Sequence, residues 1–220
     1  MKIFKYSNIG NREQNQDYLV STKLGQDSSL HLVADGMGGY DCGDIASKIV
    51  GDSYVYGLSR NMSIEDATRE ASNNIQIERR NLGVAKIGST VAGVLICGMK
   101  ATIFWAGDSR VYLFRNKEQL FQTEDHSILN ELSRKRKLSF EERERYGHII
   151  TRSIMGNPDD KVDTCEMTLQ EGDELLICSD GLYNDCPIDY LIDTLREDRF
   201  DIDKQNDGFT DNHSLIYISL

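Results

Sequence analysis

The sequence has no C-x-x-C pair, no histidines at metal-pair spacing, no internal repeat and no low-complexity segment. It also lacks any apolar run approaching the ~18 residues of a membrane-spanning helix. Each absence removes a class. The five cysteines (Cys42, Cys97, Cys165, Cys178, Cys186) are odd in number and scattered, which points away from a disulfide framework or a zinc knuckle and fits a reducing compartment. The opening stretch MKIFKYSNIGNREQNQD carries no apolar core of signal-peptide type, so the chain is expected to be cytoplasmic, neither exported nor anchored. Basic residues are in deficit, with 25 Lys and Arg against 36 Asp and Glu and a formal net charge of −11. A field of that sign does not gather nucleic acid or an anionic membrane, so neither is expected as a partner, and cations are the expected ligands.

What is present is ordinary globular material, 39% hydrophobic and 28% charged over 220 residues. With no composition break to mark a boundary, residues 1–220 are read as one domain. KIFKYSNIG and DYLVSTKLG predict two hairpin-like strands, and SLHLVADG a third. The apolar period then becomes helical from about Gly43 to Leu58, and again through Ile64, Ala67, Ala71 and Ile75. Ser63 with Asp66 and then Gly83 mark the two ends of that second helix. STVAGVLICG, KATIFWAG, SRVYLFRN and EQLFQTED follow as strands in a meander. A charged insertion comes next, in which Ser139 and Glu142 read as a capping box. VDTCEMTL, DELLICSD and SLIYISL predict the last strands, with a helix near PIDYLIDTLRE. Strands in runs and helices in pairs indicate a layered α+β fold.

One pattern recurs: an apolar strand, an aspartate, then a small or turn residue. It occurs at HLVADG (Asp35), IFWAGDS (Asp108), LLICSDG (Asp180) and GFTDN (Asp211), with Asp17 in NREQNQD as a fifth acid. A single Asp-Gly is a common turn and needs no function. Several strand-end carboxylates converging on one rim would repel one another unless neutralised, and these motifs bring no matching basic set. A hard divalent cation resolves the conflict, and an all-oxygen donor set suits Mg²⁺ or Mn²⁺ rather than zinc. Gly36, with no side chain, allows a tight turn that would aim its own carbonyl at the ion. Arg12, five positions before Asp17, has the planar fork suited to a phosphate, though a solvated arginine reads as well from that motif alone. Of the histidines (His31, His126, His148, His213), each alone reads more readily as a satisfied polar group than as a ligand.

Taken together, GNREQNQD, VADGMGG with the following G-DIAS, GSTVAGVLI, WAGDSRVYLFR, TEDHS, TRSIMG, GDELLICSDGL and DNHSLIYI resemble, in order and over nearly the whole chain, the metal-dependent protein phosphatases of the 2C type, particularly compact bacterial members. The resemblance implies an α+β fold, a four-layer α/β-β/α sandwich of two antiparallel sheets flanked by helix pairs. It implies two Mn²⁺ or Mg²⁺ ions, with a third, weaker site. Asp35 would bridge the two, the Gly36 carbonyl would bind one, and Asp180 and Asp211 the other. Asp17 would hold metal-bound water, Asp108 would serve the third ion, and Arg12 would take the substrate phosphate. The implied reaction is hydrolysis of phosphoserine or phosphothreonine in protein substrates of a serine/threonine kinase, by a metal-activated water.

The chain departs from the family pattern at three places. Gln16 stands where many members carry glutamate, removing a charge near the second metal. Met37 stands where animal-type members have histidine in D-G-H-G-G, so the leaving group would be protonated either by metal-bound water or by His126, if it faces the cleft. The segment from Asp180 to Asp211 is short, which implies a thinner helical layer. The insertion around 127–148 corresponds to the family's flap; its basic run Arg134–Lys137 reads either as a solvated helix face or as a lure for phosphoprotein. Two other classes compete. A pseudophosphatase binding phosphoproteins fits Gln16 but not the retained aspartates, and a calcium-binding structural protein fits the acidity but not the ordered motifs.

Overall fold

Alternation along the strands divides their side chains between different cores, and that division builds the layers. In a computed structural model, which describes residues 1–38, 42–147, 149–200 and 208–220, strand β3 (Ser28–Gly38) sends Leu30, Leu32 and Ala34 to one side and Val33 to the other. Strand β10 (Glu174–Cys178) sends Leu175 and Ile177 to the same middle core as Val33, and Leu176 and Cys178 outward to a third.

The first sheet runs β1 (Lys2–Asn8), β11 (His213–Ser219), β10, β7 (Arg110–Arg115), β8 (Glu118–Gln122). The second runs β2 (Asp17–Lys23), β3, β5 (Val91–Cys97), β6 (Lys100–Ala106), β9 (Asp163–Thr168), with β4 (Ile87–Ser89) beside β3. Every pairing is antiparallel. Helices α1 (Gly43–Leu58) and α2 (Ile64–Leu82) cover the second sheet through Val50, Tyr54, Ala71 and Ile75. On the opposite outer face lie α5 (Asp180–Asp185) and α6 (Ile188–Arg196), packed through Leu182, Leu191 and Leu195. Three apolar cores between four layers make the expected sandwich. The α5/α6 layer is the thinner one, although residues 201–207 of its segment lie outside the described residues.

Local end signals are realised. The Ser63 hydroxyl accepts from the Asp66 N–H at 3.0 Å, and Gly83 closes α2 in the left-handed region at φ 66°. Ser139 and Glu142 form a full capping box on α4 (Phe140–Tyr146), which with α3 (Ile128–Ser133) makes the insertion; its last residue, His148, lies outside the described residues.

Two pairings differ from the sequence expectation. The opening strands do not form a hairpin: β1 pairs with β11, and β2 with β3 in the other sheet. The chain between them is pulled across by the 209–212 segment, where Asn11 N–H donates to the Phe209 carbonyl at 3.2 Å and the Asn212 amide donates to the Ile9 and Gln14 carbonyls at 2.8 and 2.9 Å. The meander breaks likewise between β6 and β7, because Gly107 at φ 112° turns the chain from one sheet to the other. Both crossings occur at the edge where the aspartates gather.

Candidate active site

Each acid is placed by the end of a regular element. Asp17 begins β2 and stands opposite Asp35 on β3. Asp108 lies in the β6–β7 crossing, Asp180 opens α5 directly after β10, and Asp211 precedes β11. Asp35, Asp108, Asp180 and Asp211 line one cavity of about 560 Å³, together with Arg12, Gln16 and Gly36. Asp17 is not on its surface but behind it. One of its oxygens, Oδ2, accepts from the Ser179 hydroxyl at 2.8 Å, while Oδ1 is buried with no hydrogen-bond partner.

The electrostatics follow from burial and crowding. Burial first, and then the charges of Asp17, Asp180, Asp108 and Asp211, push Asp35 well above the carboxylate range. Asp35 is therefore the residue on which the other four charges converge. Burial pushes Asp17 up to about 7 against hydrogen bonds from Ser214 and Ser179 that oppose the shift. Asp108 is raised to about 7 as well, by burial and then by Asp180. On the rim, Arg12 Nη2 donates to Asp211 Oδ2 at 2.6 Å, a close counter-charge.

Among the described residues, no three His, Cys, Asp or Glu side chains converge closely enough to hold an ion as they stand. The donor chemistry nevertheless fits a hard cation. The set is all oxygen, the acids destabilise one another when ionised, and the orphaned Asp17 Oδ1 is an acceptor that the fold leaves unused. Gly36 fits the same reading by close approach: a Cβ there would lie 2.0 Å from the Gly43 carbonyl oxygen and 2.9 Å from that of Gln16.

His126 is absent from the cavity lining. Its Nδ1 accepts from the Gly107 N–H at 3.2 Å and its Nε2 pairs with Asp163 Oδ2 at 3.0 Å, while the ring stacks on Trp105. Those bonds assign the proton to Nε2. Burial, only partly opposed by Asp163, lowers its pKa. In the insertion, Arg134 pairs with Glu124 and Arg136 with Glu142, so half of the basic run is already compensated.

Several supporting residues gave no distinctive sequence signal. Thr90 grips Asp35 from both sides: its hydroxyl accepts from the Asp35 N–H at 3.0 Å and its own N–H donates to the Asp35 carbonyl at 2.8 Å. Thr90 also shares a 2.7 Å hydrogen bond with Ser109, next to Asp108. The Tyr183 hydroxyl donates to the Asp108 carbonyl at 2.8 Å, with the Arg110 guanidinium 3.5 Å over its ring. The one legible hint was a polar pair, Ser89-Thr90, between two apolar strand segments.

Comparison with known proteins places the chain in context. The family model for protein phosphatase 2C matches residues 6–207. Protein phosphatase PhpP of Streptococcus pneumoniae is 32% identical over 196 residues, 84% of this chain and 80% of that protein. The solved serine/threonine phosphatase of S. agalactiae superposes with a TM-score of 0.83 at 27% identity, covering 100% of this chain and 99% of that one. The catalytic domain of the serine/threonine phosphatase PstP, solved with two manganese ions, shares the fold at a TM-score of 0.81 and 23% identity, over 98% of this chain and 96% of that domain.

Proposed function

The chain belongs to the protein phosphatase 2C family, and from that membership we propose how a metal-dependent protein serine/threonine phosphatase is built on these residues. The enzyme hydrolyses phosphoserine and phosphothreonine in protein substrates. The proposal assigns the two-ion centre to Asp35, the Gly36 carbonyl, Asp180 and Asp211, with Asp17 behind it and Asp108 at a third, weaker position. Mn²⁺ or Mg²⁺ is the cofactor, the substrates are those of a serine/threonine kinase, and the enzyme works in the cytoplasm. Residues 1–220 form one catalytic domain with a flap at 127–148. No helix among the described residues is long and apolar enough to cross a membrane.

The observation that carries the assignment is that Asp35, Asp108, Asp180 and Asp211 line one cavity, with Asp17 opposite Asp35 on the adjacent strand. Held by Asp35, the Gly36 carbonyl, Asp180 and Asp211, Mn²⁺ or Mg²⁺ would lower the pKa of a water and offset charge on the phosphoryl group. The protein's own residues do the positioning. Arg12, on the rim, presents its guanidinium to the phosphate oxygens, which requires it to leave or share Asp211. Thr90 and Ser89 fix the Asp35 main chain, and Tyr183 fixes that of Asp108. Asp17, held by Ser179, keeps Oδ1 facing inward as a proton or hydrogen-bond acceptor. His126, outside the cavity lining, holds Gly107 instead of protonating the leaving group.

The test is hydrolysis of p-nitrophenyl phosphate and a phosphothreonine peptide, titrated with Mn²⁺, Mg²⁺ and Ca²⁺, with Asp35→Asn as control. Turnover that depends on metal and is lost in the variant supports the assignment. An Asp35→Asn protein with full activity would remove Asp35 from the ion centre.

A further inference from the structure

A second cavity of about 560 Å³ opens beside the first, and Met37 and Ile150 line both. Its other walls come from the segment that follows the insertion, including Met155, Asp159 and Lys161. That segment is fixed to the body of the protein. Ile154 exchanges both backbone hydrogen bonds with Ser89, at 3.0 and 2.9 Å. Asp160 Oδ2 accepts from the N–H groups of Met155, Gly156 and Asn157 at 2.8, 2.8 and 3.0 Å. From α2, Arg79 donates to the Met155 carbonyl at 3.1 Å and Ser72 to the Asn157 carbonyl at 2.8 Å. A surface so restrained loses little freedom when something docks on it.

The charges on this surface are unequally committed. Asp160 is consumed by the loop and Arg152 is paired with Asp163, whereas Lys161 is exposed and makes no ion pair among the described residues. Asp159, also exposed, stands two positions away. The cavity thus joins an apolar wall of Met37, Ile150 and Met155 to an available ammonium group. A small phosphate ester fits within the first cavity and has no need of the second. A phosphorylated protein segment must leave it in some direction, and the shared wall of Met37 and Ile150 offers a continuous path.

We propose that the second cavity is the subsite for residues flanking the phosphorylated one. It selects segments with a large apolar side chain beside the phosphoserine or phosphothreonine and an acidic side chain, reaching Lys161, beyond it. This rests on the reading of the first cavity as the phosphatase centre.

The experiment uses phosphothreonine peptides in which the neighbouring residues are Leu or Gly and the next residues Glu or Lys, varied independently, with p-nitrophenyl phosphate as reference. The parent protein is expected to favour Leu over Gly and Glu over Lys in kcat/KM. Met155→Ala should cut the Leu preference by roughly fivefold, since a partly apolar pocket discriminates by such factors. Lys161→Glu, which leaves two carboxylates on the rim, should cancel or reverse the Glu preference, a change of roughly threefold or more for an exposed pair. Fluorescence anisotropy of labelled peptides on the Asp35→Asn background should show the same order without turnover. Parent protein that ignores both neighbours, or variants that keep the parent's preferences, would overturn the subsite. Parent protein that hydrolyses none of these substrates with Mn²⁺ would instead overturn the phosphatase centre itself.

Discussion

Asp17 and Asp35 stand directly opposite each other on the adjacent antiparallel strands β2 and β3, and after burial it is Asp17 whose charge most disfavours an ionised Asp35. Like charges at such positions oppose strand pairing. The register therefore places the functional pair where it costs stability.

That cost has a pH signature in protein stripped of metal. Asp17 and Asp108 are raised to about 7 and Asp35 well above the carboxylate range, so the folded state holds protons that the unfolded chain releases. The stability these groups contribute is complete below the ordinary carboxylate pKa of ~4 and is lost as pH rises through 7. Urea denaturation in EDTA should show Asp17→Asn gaining on the parent as pH goes from 5 to 8, with Mn²⁺ restoring the parent. A difference that stays flat with pH would mean that the acids do not share one buried rim.

Asp35→Asn should separate function from stability. Turnover is expected to fall by at least ~10³-fold, while the metal-free protein at pH 8 gains on the order of 1–2 kcal/mol through relief of repulsion. Steady-state kinetics and an EDTA melt on the same preparation check both halves.

Arg12→Ala should raise KM for a phosphopeptide by roughly tenfold with kcat little changed, because a phosphate partner is removed from the rim and not from the reacting atoms. An effect confined to kcat would place Arg12 in the chemical step instead.

Gly36→Ala puts a methyl group 2.0 Å from the Gly43 carbonyl oxygen, so α1 and β3 must separate. A loss of about 2–4 kcal/mol is expected. Circular dichroism melts measure it, and an unchanged Tm would contradict the close approach.

His31 gives the opposite pH slope far from the acids. It is buried on β3 between the Ser21 and Ser29 hydroxyls, and burial, followed by the Lys5 charge, lowers its pKa to about 4. The unfolded chain then takes up a proton near pH 6.5 that the folded state refuses, so stability is lost as pH falls from 6.5 to 4, on the order of 3 kcal/mol in full. Comparing His31→Gln with the parent at pH 7 and pH 5 isolates this contribution.

The residues that could be read from sequence are those whose signal is local. The ends of α2 and the capping box of α4 are short-range hydrogen-bond patterns, and the chain states them within four residues. The strand-end aspartates were legible because the same unusual ending recurs at Asp35, Asp108, Asp180 and Asp211. Strand partners were not, since β1 and β2 look alike as sequence and are separated by their pairing with β11 and β3 and by bonds to Phe209 and Asn212, nearly the whole chain away. Thr90, Ser179 and Asn212 lie within recognisable motifs, but their roles were not legible for a related reason: a buried hydroxyl or amide acquires its role from what faces it. His126 shows the converse, a residue with conspicuous chemistry whose place in the loop between β8 and α3 turns it to Gly107 and Asp163.

The place of β11 between β1 and β10 has a consequence for biosynthesis. Until β11 has been made and has paired, β1 has no neighbour and Asp211 cannot face Arg12. Domains fold as units while the chain emerges from its amino end, and contacts of such sequence separation form late. A chain in which β11 has not yet docked thus lacks both the partner of its first strand and a complete rim, and it stays silent toward phosphoproteins until that strand is in place.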